Sequence, residues 1–313
     1  MFCLILLLYF SLLPFPRLFL FVIIAEPQTC CYLFPFILSR RSVVSDGHLL
    51  GLGGFDHKER MVASVERYDA SQNCWVEVSS LLHPRASMAV VAIDGYIFAM
   101  GGYDENGTVS SVCERWDPVA HRWDLVAPML HPRAMCAAAV WDGMIYVSGG
   151  KGWRAGVKQA ASMKREDDGE QEEGSGEAGK GKEEEEEEEY LKVVEKYDPQ
   201  GDEWSQVSPL LLPRALHKMV VLPTNRGLRL CAVGGFTDRQ SLAEKMQEVG
   251  EGGGEAGGGD GEGKAGGEGE RNTKAREVCL SSSEYYDKGK DEWESCDELE
   301  LPYPCAGFDI TTV

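Results

Sequence analysis

Residues 94–103 read Asp94-Gly95-Tyr96-Ile97-Phe98-Ala99-Met100-Gly101-Gly102-Tyr103. Residues 142–151 repeat the pattern as Asp142-Gly143-Met144-Ile145-Tyr146-Val147-Ser148-Gly149-Gly150-Lys151. In both, an Asp-Gly dipeptide supplies a two-residue turn, because Gly tolerates the positive φ that such hairpins need. A five-residue apolar strand follows and stops at two glycines. The same Gly pair recurs as Gly53-Gly54 and Gly234-Gly235, and the first two steps between pairs are both 48 residues.

Working outward, each pair is followed by an aromatic and an Asp: Tyr68-Asp69, Trp116-Asp117, Tyr197-Asp198 and Tyr286-Asp287. Seven residues beyond that aromatic stands Trp75, Trp123, Trp204 or Trp293, and two before it stands Glu66, Glu114, Glu195 or Glu284. Each unit parses into four strands. The first is small and apolar, over 86–93 and 134–141. The second runs over 96–100 and 144–148, the third carries Glu-x-aromatic-Asp, and the fourth begins at the Trp. Four antiparallel strands per ~45–50 residues, with small residues innermost, define the blade of a β-propeller. The fold class is therefore all-β, with four recognisable blades over 41–313.

The double Gly, the spaced aromatic and the Trp resemble the Kelch repeat. The wording around them, Val65-Glu66-Arg67-Tyr68-Asp69 and Ala127-Pro128-Met129-Leu130, is most similar to the Kelch-like (BTB–Kelch) family. That resemblance implies a substrate-capturing propeller of a cullin-3 ubiquitin ligase adaptor; the alternatives are a scaffold or cytoskeletal, actin-associated Kelch protein and, further off, a secreted or membrane-anchored module or a propeller enzyme. No catalytic residue and no cofactor are expected. In that family a BTB domain and a BACK segment dock the cullin. Residues 1–40 cannot hold them, so cullin-3 is an expected partner only if a BTB region lies upstream. Six blades are usual in the family, and four are visible here. Cys305–Val313 follows Pro304 as a first-type strand would, and is expected to compete with Arg41–Val44 for a place in the first blade.

The charge is unevenly spread. The chain of 313 residues has 51 acidic and 31 basic side chains, a net of −20. Residues 164–189 hold 14 acids and 4 bases, and residues 244–277 hold 9 acids and 5 bases. Both stretches lie in the loop joining strands two and three, which is 33 residues longer in the third unit than in the second, and 37 longer in the fourth. Neither carries enough apolar surface to fold, so inserts at 155–189 and 240–277 are expected to be disordered. A long surface loop costs little closure entropy. Without a basic cluster, nucleic acid is not an expected partner.

Residues 1–40 form an apolar leader interrupted by Pro14, Pro16 and Arg17. It reads as a misassigned N-terminus, an anchor or a signal; residues 1–25 are the part that would touch a membrane. The expected location is cytoplasmic, with membrane association as the alternative. Cysteine usage fits this: the seven cysteines beyond the leader form no Cys-x-x-Cys and are expected to be reduced thiols. No zinc spacing, Ser/His/Asp arrangement, phosphate-binding Gly loop or copper-holding Tyr/His set is present.

In an up-and-down blade the start of strand one and the end of strand two share a rim. Arg85, Arg133 and Arg214 open first strands within Pro-Arg-Ala, while Phe55, Tyr103 and Phe236 follow the Gly pairs, with Lys151 in the third unit. The resemblance implies that these positions line a face for a protein substrate or acidic peptide motif, since Arg beside aromatics is common at hot spots. The other reading makes Pro-Arg-Ala the turn grammar of the repeat, with Arg pairing to neighbouring loops. Because both acidic inserts leave this rim, they are expected to compete there with acidic ligands. His83 and His131, which precede Pro84 and Pro132, read as surface loop residues.

Overall fold

The computed structural model describes residues 20–23, 40–153, 188–224, 227–251, 277–296, 299–306 and 309–312. An N-terminal strand, β1 (Leu20–Ile23), precedes four blades. Blade one is β2 (Arg41–Ser45), β3 (His48–Leu52), β4 (Ser64–Asp69) and β5 (Cys74–Ser80). Blade two is β6 (Ala89–Ile93), β7 (Tyr96–Met100), β8 (Cys113–Asp117) and β9 (Arg122–Val126). Blade three has β10 (Ala137–Trp141) and β11 (Met144–Ser148), then the insert stem β12 (Lys151–Trp153) and β13 (Glu188–Tyr190), then β14 (Val194–Asp198) and β15 (Glu203–Val207). Blade four has β16 (Lys218–Thr224) and β17 (Gly227–Val233), the stem β18 (Phe236–Asp238), a helix α1 (Arg239–Glu251), β19 (Glu277–Cys279), and then β20 (Ser283–Asp287) and β21 (Glu292–Ser295). The last strand is β22 (Asp309–Thr312). Every blade is one four-stranded antiparallel sheet in chain order, and each stem is a two-stranded sheet of its own.

The repeated residues explain the packing. The aromatic of the third strand stands directly opposite the Trp of the fourth, as in Tyr68↔Trp75 and Trp116↔Trp123. The ring centroids of the four pairs lie 5.3, 5.8, 5.0 and 5.4 Å apart, within the range where tilted aromatic pairs attract. Three of the Trp indoles also tie their blade to the one before. Trp123 donates to Ser79 Oγ (3.2 Å), Trp204 to the Ala127 carbonyl (2.8 Å) and Trp293 to the Ser208 carbonyl (2.9 Å).

The apolar core is divided into layers between blades. Leu52, Met88, Ile97 and Trp123 fill the first gap, Phe98, Met100, Cys136 and Ile145 the second, and Tyr146, Leu210, Leu230 and Tyr286 the third. Fully burying one such side chain contributes about 1.5–3 kcal/mol, so the interfaces rather than the single sheets carry the stability.

The innermost strands begin three residues later than the sequence suggests. Ser87, Met135 and Leu216 have φ of 54°, 55° and 53°, a left-handed turn that delays the ladder until Ala89, Ala137 and Lys218. That turn links the blades: the Met135 N–H donates to the Ser87 carbonyl (2.8 Å) and the Leu216 N–H to the Met135 carbonyl (2.9 Å).

The C-terminal strand departs from expectation in a second way. It does not compete with Arg41–Val44, which keeps its place as β2 in blade one. Instead β22 pairs antiparallel with β1, Leu20 against Thr312 and Ile23 against Asp309, and lies beside the inner strand β16 of blade four. Cys305 sets this up. Its N–H donates to the Leu280 carbonyl (3.2 Å) and its carbonyl accepts from the Gly235 N–H (2.7 Å). Arg133 makes the same two bonds, with Ser110 (3.1 Å) and Gly102 (2.9 Å). Cys305 thus opens a fifth position in the ring, and β22 with β1 forms its two inner strands.

The second insert also begins with structure. Residues 240–251, expected to be disordered, belong to α1. The Asp238 carboxylate caps the helix by accepting from the Ser241 N–H (2.8 Å) and hydroxyl (2.7 Å), and Gln240 donates to Glu244 one turn on (2.9 Å). Leu242, Ala243, Glu244 and Lys245 are good helix formers, masked in the composition by the Gly-rich stretch that follows. Glu188 and Glu189 of the first insert likewise belong to β13, and Glu277 of the second to β19; the rest of the two expected disordered inserts lies outside the described residues, as does most of the leader. Among the described residues no helix is long and apolar enough to cross a membrane.

Candidate protein-binding rim

The rim is built from the turns into the first strands and out of the second strands. Its two glycines let the next blade approach. Gly101 has φ +64°, and a Cβ there would run into the Arg133 carbonyl oxygen of the following blade, while Gly102, with φ +94°, is crowded by the Ala86 carbonyl of its own blade. The Gly102 N–H donates to that same Arg133 carbonyl. The residue after each pair is then fixed by backbone bonds to the residue after the arginine. Tyr103 bridges Ala86, Lys151 bridges Ala134 and Phe236 bridges Ala215. Phe55 is held instead against Met61 of its own loop. All four side chains are half-buried, so the three aromatics and Lys151 form a row on the rim.

The three arginines are not part of that exposed row. Arg85, Arg133 and Arg214 are 2%, 0% and 0% exposed. Each guanidinium turns into its own blade and meets the Glu of the third strand. Arg85 Nη2 lies 2.6 Å from Glu114 Oε1, Arg214 Nη2 lies 2.5 Å from Glu284 Oε1, and Arg133 pairs with Glu195 in the same way. Nη1 caps carbonyls at the end of strand two and the start of strand three: Gly101 (3.2 Å) and Val112 (2.8 Å) for Arg85, Gly149 (3.2 Å) and Val193 (2.8 Å) for Arg133, Gly234 and Ser282 (both 3.0 Å) for Arg214.

The carboxylates hold the approach to the first strand from the other side. Glu114 accepts the N–H groups of Leu82 (2.7 Å) and His83 (3.2 Å), Glu195 those of Leu130 (2.7 Å) and His131 (3.1 Å), and Glu284 those of Leu211 (2.6 Å) and Leu212 (3.1 Å). The expectation that these arginines meet a ligand therefore gives way. A buried guanidinium with its own carboxylate and two carbonyls is a turn anchor. The signal was present in the sequence, because Pro-Arg-Ala recurs with the Glu of the third strand, and the two were not connected. In blade one, Arg40 reaches Glu66 instead (2.7 Å).

His83 and His131 are partly exposed loop residues whose Nδ1 atoms face Glu114 (3.1 Å) and Glu195 (2.9 Å). Among the described residues no three His, Cys, Asp or Glu are grouped to hold a metal ion. The seven cysteines from Cys74 to Cys305 form no disulfide; Cys113, Cys136, Cys231 and Cys296 are buried.

Sequence reasoning missed the contacts of the insert stems. Glu188 and Glu277 occupy equivalent places at the start of β13 and β19. Each reaches back to the preceding blade's rim residue: Tyr103 Oη donates to Glu188 (3.0 Å), and Lys151 Nζ to Glu277 (2.9 Å). Tyr190 Oη donates to the same oxygen of Glu277 (2.5 Å), with the Lys151 ammonium 4.8 Å from the Tyr190 ring centre. These two donors hold the Glu277 carboxyl below its usual range. Burial, then the Glu188 charge and hydrogen bond, push the Tyr103 phenol up.

Residues 39–82 and 84–130 match the family model of the Kelch motif. The solved structure of YjhT is similar in fold, with a TM-score of 0.57 at 14% identity, over 86% of this chain and 72% of that one. No curated protein matches the chain. The fold is thus a β-propeller whose first two blades match the Kelch motif, with the same residue grammar recurring in the next two.

Proposed function

We propose that this propeller is a non-catalytic, protein-binding module that takes its partner on the rim formed by Phe55, Tyr103, Lys151 and Phe236. The observation that carries this is the arrangement of the row. Four equivalent positions are fixed by backbone bonds, half-exposed, and chemically varied, while Arg85, Arg133 and Arg214 and their Glu partners are committed below them. An acidic peptide motif is the proposed ligand. The rim holds carboxylates through Tyr103, Lys151 and Tyr190 rather than through the three arginines, and Glu188 and Glu277 fill these places as internal competitors.

The finer reading is a substrate receptor acting with a cullin-3 ubiquitin ligase in the cytoplasm. It is supported by the likeness of Val65-Glu66-Arg67-Tyr68-Asp69 and Ala127-Pro128-Met129-Leu130 to the Kelch-like family.

The test is affinity purification of the full chain and of F55A/Y103A/F236A, followed by mass spectrometry. Partners lost from the variant at unchanged melting temperature support the rim, and ligase subunits among them support the adaptor. An unchanged partner list sinks the rim reading. With E188Q/E277Q, an acidic peptide is expected to bind several-fold more tightly, most clearly at low salt.

A further inference from the structure

Position by position, the gap between blades three and four differs from the two before it. At the last residue of strand two and the residue preceding strand one of the next blade, the first interface packs Leu52 and Met88, and the second packs Met100 and Cys136. The third places Ser148 and His217 there, with the Ser148 hydroxyl 2.7 Å from His217 Nε2. Two apolar pairs are thus replaced by one polar, titratable pair in the same slot.

The slot is closed. Ser148 is fully buried and His217 is 6% exposed. Glycines clamp the imidazole from both blades. A Cβ on Gly149 would stand 2.9 Å from His217 Cε1, and one on Gly235 would stand 2.7 Å from His217 Cβ. His217 Nδ1 is buried without a hydrogen-bond partner. A neutral ring fits this arrangement, because one nitrogen bonds the hydroxyl and the other carries no proton. A protonated ring would have a second N–H with nothing to receive it, which is expensive in a buried site.

The charged groups facing the ring make this worse. Arg133 comes from blade three, Arg214 from the segment of His217 itself and Arg41 from blade one. Glu195 and Glu284 are engaged with Arg133 and Arg214. Lys218 follows directly in the chain. Burial first, and then these three guanidinium groups, hold the imidazole well below its usual range.

We propose that the Ser148–His217 contact is a pH-sensitive joint, at which protonation of the imidazole parts blade three from blade four. These are the two blades that carry inserts on the rim, so acid would act where partner loops converge. The joint goes beyond the rim reading and does not depend on it. The balance is a simple proton uptake. The closed interface excludes the proton and the open one accepts it, so each pH unit below ~6.5 raises the opening equilibrium by up to about tenfold, until the native pKa is reached.

The experiment is hydrogen–deuterium exchange on the full chain at pH 7.5 and 5.5, with exchange times corrected for the intrinsic pH effect. Peptides from 137–148 and 218–233 are expected to exchange about tenfold faster at the lower pH, while 89–100 stays unchanged and serves as the internal control. In S148L/H217M, which transplants the Leu52–Met88 pair, the acid response is expected to vanish. A response that persists in the variant, or is missing from the wild type, overturns the proposal. Should the variant fail to fold, the imidazole can be titrated by NMR in the wild-type protein. A native pKa well below the ordinary value supports the joint, and one at or above ~6.5 overturns it.

Discussion

The guanidinium of Arg133 and the carboxylate of Glu195 meet inside blade three with neither side chain exposed to solvent. The same pairing recurs in blades two and four, so the most conspicuous cations of the repeat anchor loops. Breaking one partner of a buried pair strands the other.

For that reason Arg133→Met and Glu195→Ala are each expected to lower stability by about 3–5 kcal/mol. The glutamate variant should be the more damaging, because Glu195 also satisfies the Leu130 and His131 N–H groups. Urea unfolding of both variants checks the size and the order. If Arg133→Met weakened partner capture at unchanged stability, the anchor role would be refuted.

Two glycines separate backbone strain from crowding. Gly102 and Gly107 both have positive φ, at 94° and 75°, but a Cβ on Gly102 would press on the Ala86 carbonyl, whereas one on Gly107 meets nothing within 4 Å. Gly107→Ala is expected to cost about 1 kcal/mol from the left-handed backbone alone. Gly102→Ala should cost clearly more and loosen the first and second strands of blade two, measurable as melting temperature and as amide exchange over 86–103.

Thiol reactivity should follow burial. Burial pushes the Cys113 and Cys231 thiols up to about 12, so both stay protonated and shielded at pH 8. Among the described cysteines, alkylation of the native protein with iodoacetamide is expected to label the half-buried Cys74, Cys279 and Cys305 first, with Cys113 and Cys231 reacting only after denaturation. Early labelling of Cys113 would show that the gap between blades two and three opens readily.

The loop of blade one carries its own pH dependence. The Arg60 N–H holds the Asp56 carboxyl down to about 2, helped by the Arg60 side chain and the Lys58 N–H. A carboxylate with a depressed native pKa stabilises the fold above its ordinary value and loses that contribution as pH falls through the native one. The 55–61 hairpin should therefore keep its chemical shifts down to about pH 3 and change below it. Asp56→Asn should remove that transition in an NMR titration.

Much of this architecture was legible in the spacing of residues. The Gly pairs, the aromatic-Asp dipeptides and the Trp seven residues later place strands two, three and four to within a residue or so, because turn chemistry and cross-strand packing are local. The innermost strands were misplaced at their starts because Ser87, Met135 and Leu216 adopt left-handed backbone without being Gly or Asn. Nothing local announces that; contacts between blades impose it. The turns into the first strands and out of the second do meet, Tyr103, Lys151 and Phe236 bridging Ala86, Ala134 and Ala215, but the three arginines lie buried rather than on that edge. Whether a guanidinium faces solvent or a carboxylate some 30–70 residues away depends on how the chain returns, which spacing alone does not encode. The helix α1 was hidden by averaging composition over a whole insert.

The pairing of Leu20–Ile23 with Asp309–Thr312 has a consequence for how the molecule is made. Residues almost 290 positions apart must meet before the fifth position exists, and such non-local closure is slow. During synthesis at ~5–20 residues per second, blades one to three can assemble as they emerge. The partner of β1 is made only after blade four, with Asp309–Thr312. Until Asp309–Thr312 emerge, β1 lacks its partner strand and exposes a sheet edge, the stage at which a chaperone would matter most.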